Sequence, residues 1–262
     1  MKRTLIDKIP CSLPDDIIHL TEGASIYDSS CSPEARVYFI DRDSGYFLKL
    51  SAEGTLRREA ELMDYFHGIG LGAELLMYGN CNGQDYMLSS RVLGEDCTHS
   101  EYLNNPKRLC DTIATELRAL HEHDFSKCPA KNKIDEYLAT AVHNYKTGNY
   151  DKSHFPDSFG YSSADEAIRV LREGSQLLCS DTLIHGDYCL PNIMLNGWQL
   201  SGFIDVGSGG VGDRHIDLFW GAWTLGFNLG TDEYRERFFD AYGRDLINPN
   251  ILKVVAAAEV FG

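Results

Sequence analysis

The chain reads as an α+β protein of two lobes, a small antiparallel-sheet lobe followed by a larger, mainly helical one. Two observations predict this. Short strand-like stretches separated by tight-turn residues dominate as far as about residue 92, and segments with apolar residues at three- and four-residue spacing dominate beyond it. The character changes at "LGEDC", which sets a first domain of residues 1–92 and a second of 93–262. A length of 262 residues is enough for two lobes around a sizeable core.

The elements follow in order. "ARVYFIDRDSGYFLKL", residues 35–50, gives two strands around the turn "RDSG". "TLRREAELMDYFH", residues 55–67, gives a helix that Gly68, Gly70 and Gly72 should end. "AELLMYG" and "DYMLSSRV" make a second strand pair around Asn82-Gly83. Residues 107–123, 133–147 and 163–178 read as helices. The short strands "TLIHG", "NIML" and "QLSGFID" come next, with Asn196-Gly197 as a hairpin turn, and helices near 214–225, 231–242 and 249–260 close the chain.

Composition narrows the function classes. Hydrophobic residues at 43% and charged residues at 24% are ordinary for a globular protein. A net charge of −15 disfavours nucleic acid, whose phosphates it repels, and suits a cationic small molecule steered in by the field. The plainer meaning of that charge is solubility. The opening "MKRTLIDKIPCSLPDD" has charges and prolines before any apolar run, and no stretch is long and apolar enough to span a bilayer, so the expectation is a cytoplasmic protein without a membrane partner, a monomer or weak homodimer. Eight cysteines are scattered with no C-x-x-C pair, which fits reduced core residues better than disulfides or zinc.

Two groups of residues break the structural pattern. Lys49 lies on a strand beside Phe47, with Leu48 and Leu50 on the other face. A strand lysine is ordinarily solvated. The following helix, however, carries Leu56, Glu59, Met63 and Phe66 on one face, so Glu59 interrupts an apolar stripe and needs a cation. Lys49 can be that cation, and the pair can position a phosphate. The second group is "LIHGDYCLPNIML", followed by "FID". Asp187, Asn192 and Asp205 fall at strand ends across a small hairpin. Alone, each could cap a turn. Together they offer oxygen ligands for Mg²⁺ and, through it, a nucleotide's phosphates, leaving one acid to take a proton from a hydroxyl nucleophile.

"HGDYCLPN" followed by "GFID" resembles the catalytic segment of the aminoglycoside phosphotransferases, antibiotic kinases of protein-kinase-like fold, in which H-R-D-x-x-x-x-N and D-F-G are the matching protein-kinase pieces. "CSPEARVYFI" resembles the loop and strand over the ATP phosphates, "FLKL" and "RREAELM" the lysine strand and glutamate helix, "YMLSSRV" the inter-lobe hinge, and "VGDRHIDLFW" the helix after the metal aspartate. The ending "EVFG" is similar to that of the aminoglycoside 3′-phosphotransferases.

The resemblance implies a bilobal kinase-like fold and use of ATP (or GTP) with Mg²⁺. It implies Asp187 as catalytic base, Asn192 and Asp205 as metal ligands, Lys49 on the α- and β-phosphates with Glu59 holding it, and Ser32 in the loop over the phosphates. Backbone near Ser90 and Arg91 would bond the adenine. His185 and Asp217 would brace the catalytic loop. Glu259, the chain end near Phe261, Asp157 and Asn132 are the candidates for the amines of the aminoglycoside. Three positions depart from the pattern: Ser208 replaces an expected arginine, and Phe227 and Asn228 stand where an acidic pair is expected, with Asp232 and Glu233 as possible substitutes. These departures keep open a related kinase acting on a macrolide, a choline-like compound or a sugar. A dead binding module would lack one of the four core residues, and all are present.

Two further patterns carry less. "GSGGVG", residues 207–212, matches a dinucleotide fingerprint literally, but no βαβ unit follows. His121 and His123 are two apart near a helix end, which is not metal-ligand spacing.

Overall fold

The computed structural model describes residues 3–31, 33, 35–155 and 159–262, with His154 described through its backbone alone. The expected sites Ser32 and Asp157 lie outside the described residues. The strands are β1 (Thr4–Ile6), β2 (Ser25–Asp28), β3 (Ala35–Asp41), β4 (Tyr46–Ala52), β5 (Leu75–Cys81), β6 (Gln84–Ser90), β7 (Glu95–Asp96), β8 (Thr182–Ile184), β9 (Ile193–Asn196), β10 (Gln199–Phe203) and β11 (Gly210–Gly212). The helices are α1 (Asp15–Thr21), α2 (Arg57–Gly68), α3 (Ser100–Leu103), α4 (Pro106–His121), α5 (Lys133–Thr147), α6 (Ala164–Gly174), α7 (Arg214–Leu229), α8 (Arg235–Tyr242) and α9 (Pro249–Glu259).

The chain forms two compact units, Met1–Asp96 with Pro191–Gly207, and Cys97–Leu190 with Ser208–Gly262. A single cut after residue 92 therefore does not describe the division. β7 pairs with β9, Glu95 opposite Leu195, and the Phe203 amide donates to the Leu71 carbonyl at 2.7 Å, so the β9–β10 hairpin packs with the first unit. Gly94 sits so close to this hairpin that a Cβ would meet the Leu195 carbonyl oxygen at 2.1 Å.

In the first unit one antiparallel sheet has the order β1-β2-β3-β4-β6-β5, and a second, three-stranded one has the order β10-β9-β7. β4 shows the alternation its sequence predicts. Leu48 and Leu50 enter the core with Tyr38, Ile40 and Leu88, while Phe47, Lys49 and Ser51 line a cavity on the other face. The β5–β6 turn is Asn82-Gly83, both with positive φ, as expected of a two-residue hairpin. The second hairpin turns one residue later than expected. Asn196 pairs with Gln199, so Gly197 and Trp198 are the turn residues, again both with positive φ.

The second unit is mainly helical. Its core gathers Ile134 of α5, Leu171 of α6, Ile216 of α7 and Val255 of α9 with Ile184 and Phe261. Caps mark the helix starts: Ser163 accepts from the Glu166 amide, Asp213 from the His215 amide and Asn248 from the Asn250 amide. The helix expected from residue 163 to 178 ends at Gly174 and passes into a 3₁₀ turn, and that expected from 231 begins only at Arg235. The "GSGGVG" run becomes β11, paired antiparallel with β8 in a two-stranded ladder.

Candidate active site

In the first unit, a cavity of about 690 Å³ is lined by Lys49, Phe47 and Met87 from the sheet and by Asn192, Phe203 and Asp205 from the β9–β10 region. The β4 register sets Lys49 facing it, and the α2 stripe sets Glu59 behind it. Lys49 Nζ donates to both Glu59 carboxylate oxygens and to Asp205 Oδ1, each at 2.8 Å. Leu56, Met63 and Phe66 bury the same face of α2 as Glu59. Burial works against the Lys49 ammonium, but Asp205 and Glu59 more than offset it, and its pKa lies above the ordinary lysine value. Burial pushes Glu59 upward, and the ammonium partly offsets this.

Asp205 has a left-handed backbone, with φ of 57°. That is an uncommon conformation for a residue other than glycine and costs energy that the surrounding structure must hold in place. Asn192 is buried, and its carbonyl accepts from the Ile204 amide at 3.0 Å. A carboxylate and an amide are hard oxygen donors that fit Mg²⁺, which takes one or two protein ligands and completes its shell with phosphate and water. Among the described residues no group of three or more His, Cys, Asp or Glu is arranged to hold a metal by itself.

At the end of β6 the Ser90 amide donates to the Glu74 carbonyl at 2.9 Å and the Arg91 amide to the Gly45 carbonyl at 3.1 Å. Both N–H groups are therefore committed within the protein. Arg3 and Ser29 are among the lining residues that escaped the sequence reading. Arg3 lies over Phe39, its guanidinium carbon 3.9 Å from the ring centroid. Ser29 Oγ is buried with no hydrogen-bond partner among the described residues, and Ser29 lines the cavity. A buried orphan hydroxyl costs free energy unless something bonds it.

Asp187 belongs to the second unit, in the loop after β8. Gly186, with φ of 82°, lies so near Ser208 that a Cβ would fall 2.1 Å from the Ser208 carbonyl oxygen. Only glycine fits. The loop is braced from α7. Asp217, fully buried, accepts from the amides of His185 and Gly186 at 2.7 Å each and is bonded to His121 Nε2 at 3.1 Å. His185 Nδ1 accepts from the Asp187 amide at 3.2 Å, and Thr224 Oγ1 from the Leu190 amide at 3.1 Å. The His121 of the sequence pattern is thus the last residue of α4, tied through its other nitrogen to Tyr242 at 2.8 Å.

The expected substrate residues separate on inspection. Glu259 is buried, accepts from the Tyr137 hydroxyl at 2.7 Å, and is hydrogen-bonded by Trp220. Burial raises its pKa to about 7 against those bonds, and the charges of Asp187 and Asp217 add to the rise. Phe261 is fully buried, packed edge-on against Tyr145 and Tyr150, and its carbonyl accepts from Asn144 at 2.8 Å, so it anchors the end of the fold. Asn132, just before α5, is bonded to Asp135 and Ser180. Asn228 turns back onto α7, donating to the Thr224 carbonyl and hydroxyl. Phe227 is 71% exposed. Tyr137 and Trp220 had no signal in the sequence, since helical spacing alone does not separate a core aromatic from one bonded to a carboxylate.

Comparisons with known proteins place the chain in a family. The phosphotransferase enzyme family (APH) matches residues 32–252, and the chain belongs to that family. A probable aminoglycoside 3′-phosphotransferase of Lactococcus lactis is 48% identical over 260 residues, covering 99% of this chain and 97% of its own. An aminoglycoside 3′-phosphotransferase of Niallia circulans is 30% identical over 207 residues, covering 78% and 79%. The crystal structure of aminoglycoside-3′-phosphotransferase of type VIII superposes with a TM-score of 0.75 at 21% identity, covering 92% of this chain and 94% of that one. The aminoglycoside phosphotransferase APH(3″)-Id of Streptomyces rimosus, solved with ADP and streptomycin, gives a TM-score of 0.69 at 21% identity, covering 86% and 90%. The fold is the kinase-like one that the sequence resemblance implied.

Proposed function

We propose that this phosphotransferase moves the γ-phosphoryl group of ATP or GTP, with Mg²⁺, to a hydroxyl of an aminoglycoside antibiotic, the 3′-hydroxyl by preference, and so confers resistance. The observation that carries the reading is the Lys49 ammonium fixed at 2.8 Å by Glu59 and Asp205 on the wall of a cavity of about 690 Å³. The 48% identity to a probable aminoglycoside 3′-phosphotransferase supports the acceptor.

On this reading, Lys49 meets the α- and β-phosphates and Glu59 fixes its position. Phe47 and Met87 give the base an apolar seat. Because the amides of Ser90 and Arg91 are already used, the base meets that strand end through carbonyls. The orphan Ser29 hydroxyl finds its partner in the nucleotide. Asn192 and Asp205 are the residues that would hold Mg²⁺, which would supply neutralisation of phosphate charge. Asp187 accepts the proton of the acceptor hydroxyl as the new O–P bond forms and the bond from γ-phosphorus to the bridging oxygen breaks, releasing the nucleoside diphosphate. Such transfer is mostly positioning and charge stabilisation, so the bracing of Asp187 through Asp217 and His185 counts as much as its basicity. Glu259 meets an ammonium group of the acceptor.

A second reading keeps the chemistry and changes the acceptor to a macrolide, a choline-like compound or a sugar. It is favoured by the exposed Phe227 and the inward-turned Asn228, where carboxylates were expected. Incubation with ATP, Mg²⁺ and kanamycin, followed by mass and NMR spectra, separates the two. Addition of one phosphoryl group at the 3′-oxygen supports the first reading. Unmodified kanamycin with a phosphorylated compound of another class supports the second.

A further inference from the structure

Trp220, Trp223 and Phe227 fall at spacings of three and four on α7 and so share one face. Trp223 is 36% exposed and Phe227 71% exposed. Their rings stack nearly parallel, 4.9 Å between centroids at 15°, and Trp223 meets Trp220 edge-on at 5.3 Å. Both ends of this strip carry a carboxyl group. At the inner end Trp220 is hydrogen-bonded to Glu259. At the outer end Asp232 Oδ1 lies so near Gly226 that a Cβ there would meet it at 2.8 Å. That sets a carboxylate beside the last turn of α7, where unpaired carbonyls already make the helix end negative. Asp232 also begins the turn into α8, its carbonyl accepting from the Arg235 amide at 3.1 Å, so this carboxylate is held in place at the end of the strip. The seven steps of helix from Trp220 to Phe227 rise about 10 Å along the axis, the scale of two linked six-membered rings.

We infer that the Trp223–Phe227 pair is a stacking platform for a sugar ring of the polycationic acceptor, with Glu259 and Asp232 meeting ammonium groups at its two ends. The inference rests on the acceptor class proposed above. The open ring face offers a π surface to axial C–H bonds and to ammonium groups. The strip takes over at Phe227 the recognition that a carboxylate pair would have supplied, while Asn228 serves the helix. The charge of −15 and the carboxyl groups at the ends favour a cationic sugar over an apolar protein surface.

The test compares wild type with Phe227→Ala, Phe227→Leu and Phe227→Tyr. It uses kanamycin KM, ATP KM and equilibrium kanamycin binding followed by tryptophan fluorescence, which needs no turnover. Phe227→Ala and Phe227→Leu should each weaken kanamycin binding and raise its KM about five- to tenfold, the scale of one lost cation–π or stacking contact, with ATP KM and the circular dichroism spectrum unchanged. Phe227→Tyr should restore both. Unchanged kanamycin binding in the Ala and Leu variants overturns the platform. So does a variant that only shifts the protein from dimer to monomer in sedimentation. Kanamycin that binds through Phe227 but is never phosphorylated supports the platform while removing the proposed reaction. Kanamycin that does not bind wild type removes both.

Discussion

Lys49 and Asp205 are 156 positions apart in the chain, yet the Lys49 ammonium sits 2.8 Å from Asp205 Oδ1 and at the same distance from Glu59. One cation therefore holds two carboxylates, and removing it leaves them facing each other in a partly buried wall. Lys49→Ala should cut kcat about a hundredfold through lost phosphate contact. It should also lower stability more in the wild-type background than in Glu59→Gln, because the neutral amide removes the unpaired buried charge. Thermal melts of the four proteins in the cycle measure this. Additive effects would mean that the ion pair carries no coupling.

The cavity can be probed without turnover. Cys31 is exposed and lines it, whereas Cys11 and Cys179 are exposed elsewhere on the chain. ATP with Mg²⁺ should slow maleimide labelling of Cys31 and leave Cys11 and Cys179 unaffected, as read by peptide mass spectrometry. Equal labelling of Cys31 with and without nucleotide would contradict the placement of the nucleotide.

Asp217 should behave as a positioning residue. Asp217→Asn keeps the volume but puts a donor opposite the amides of His185 and Gly186, which both bond this carboxylate at 2.7 Å. A buried polar mismatch of this kind costs about 3 kcal/mol. Melting temperature should fall, and kcat should fall more than ATP KM rises. A melt equal to wild type would argue against the brace.

Glu259 sets a pH dependence. Its carboxyl is buried and titrates at about 7 against an ordinary 4.5, among Tyr137, Trp220, Asp187 and Asp217. Below pH 4.5 the acid is neutral folded or unfolded, and nothing is lost. Between 4.5 and 7 the unfolded chain ionises first, so stability falls as pH rises, and above 7 the full cost, on the order of 3 kcal/mol, remains. Glu259→Gln should gain stability over wild type as pH rises from 5 to 8. Kanamycin KM, compared with that variant, should fall as the wild-type carboxylate ionises. Parallel melting curves across that range would refute the assignment.

Much of the first unit was legible because strand chemistry is local. The period of two in "GYFLKL" put Lys49 opposite Leu48 and Leu50, and the α2 stripe exposed Glu59 as a charge among apolar neighbours. The Asn82-Gly83 turn needed only the tolerance of those residues for positive φ. β1, β2 and α1 were not legible, since they are short and α1 buries only Ile17. The "GSGGVG" strand was hidden because its glycines carry no pattern and its pairing comes from β8, far back in the chain. The division of the chain was missed because β7 is two residues long and its partner β9 lies beyond the helices. Motif spacing singled out Asp187, Asn192 and Asp205 as candidates. It could not show that Asn132 and Asn228 spend their side chains on internal bonds, or that Phe261 is buried, because those facts depend on tertiary neighbours.

Asp187→Ala should lower kcat about a thousandfold while ATP binding, measured by calorimetry, stays near wild type, since its work is on the acceptor hydroxyl. Retention of most of kcat would remove Asp187 from the reaction.

The most direct measurement is ATP- and Mg²⁺-coupled turnover of the wild-type enzyme against aminoglycosides with and without a 3′-hydroxyl, with Asp187→Ala alongside. The account predicts turnover confined to the 3′-hydroxyl compounds and abolished in the variant. Turnover of no aminoglycoside, or equal turnover of compounds lacking that hydroxyl, would contradict it.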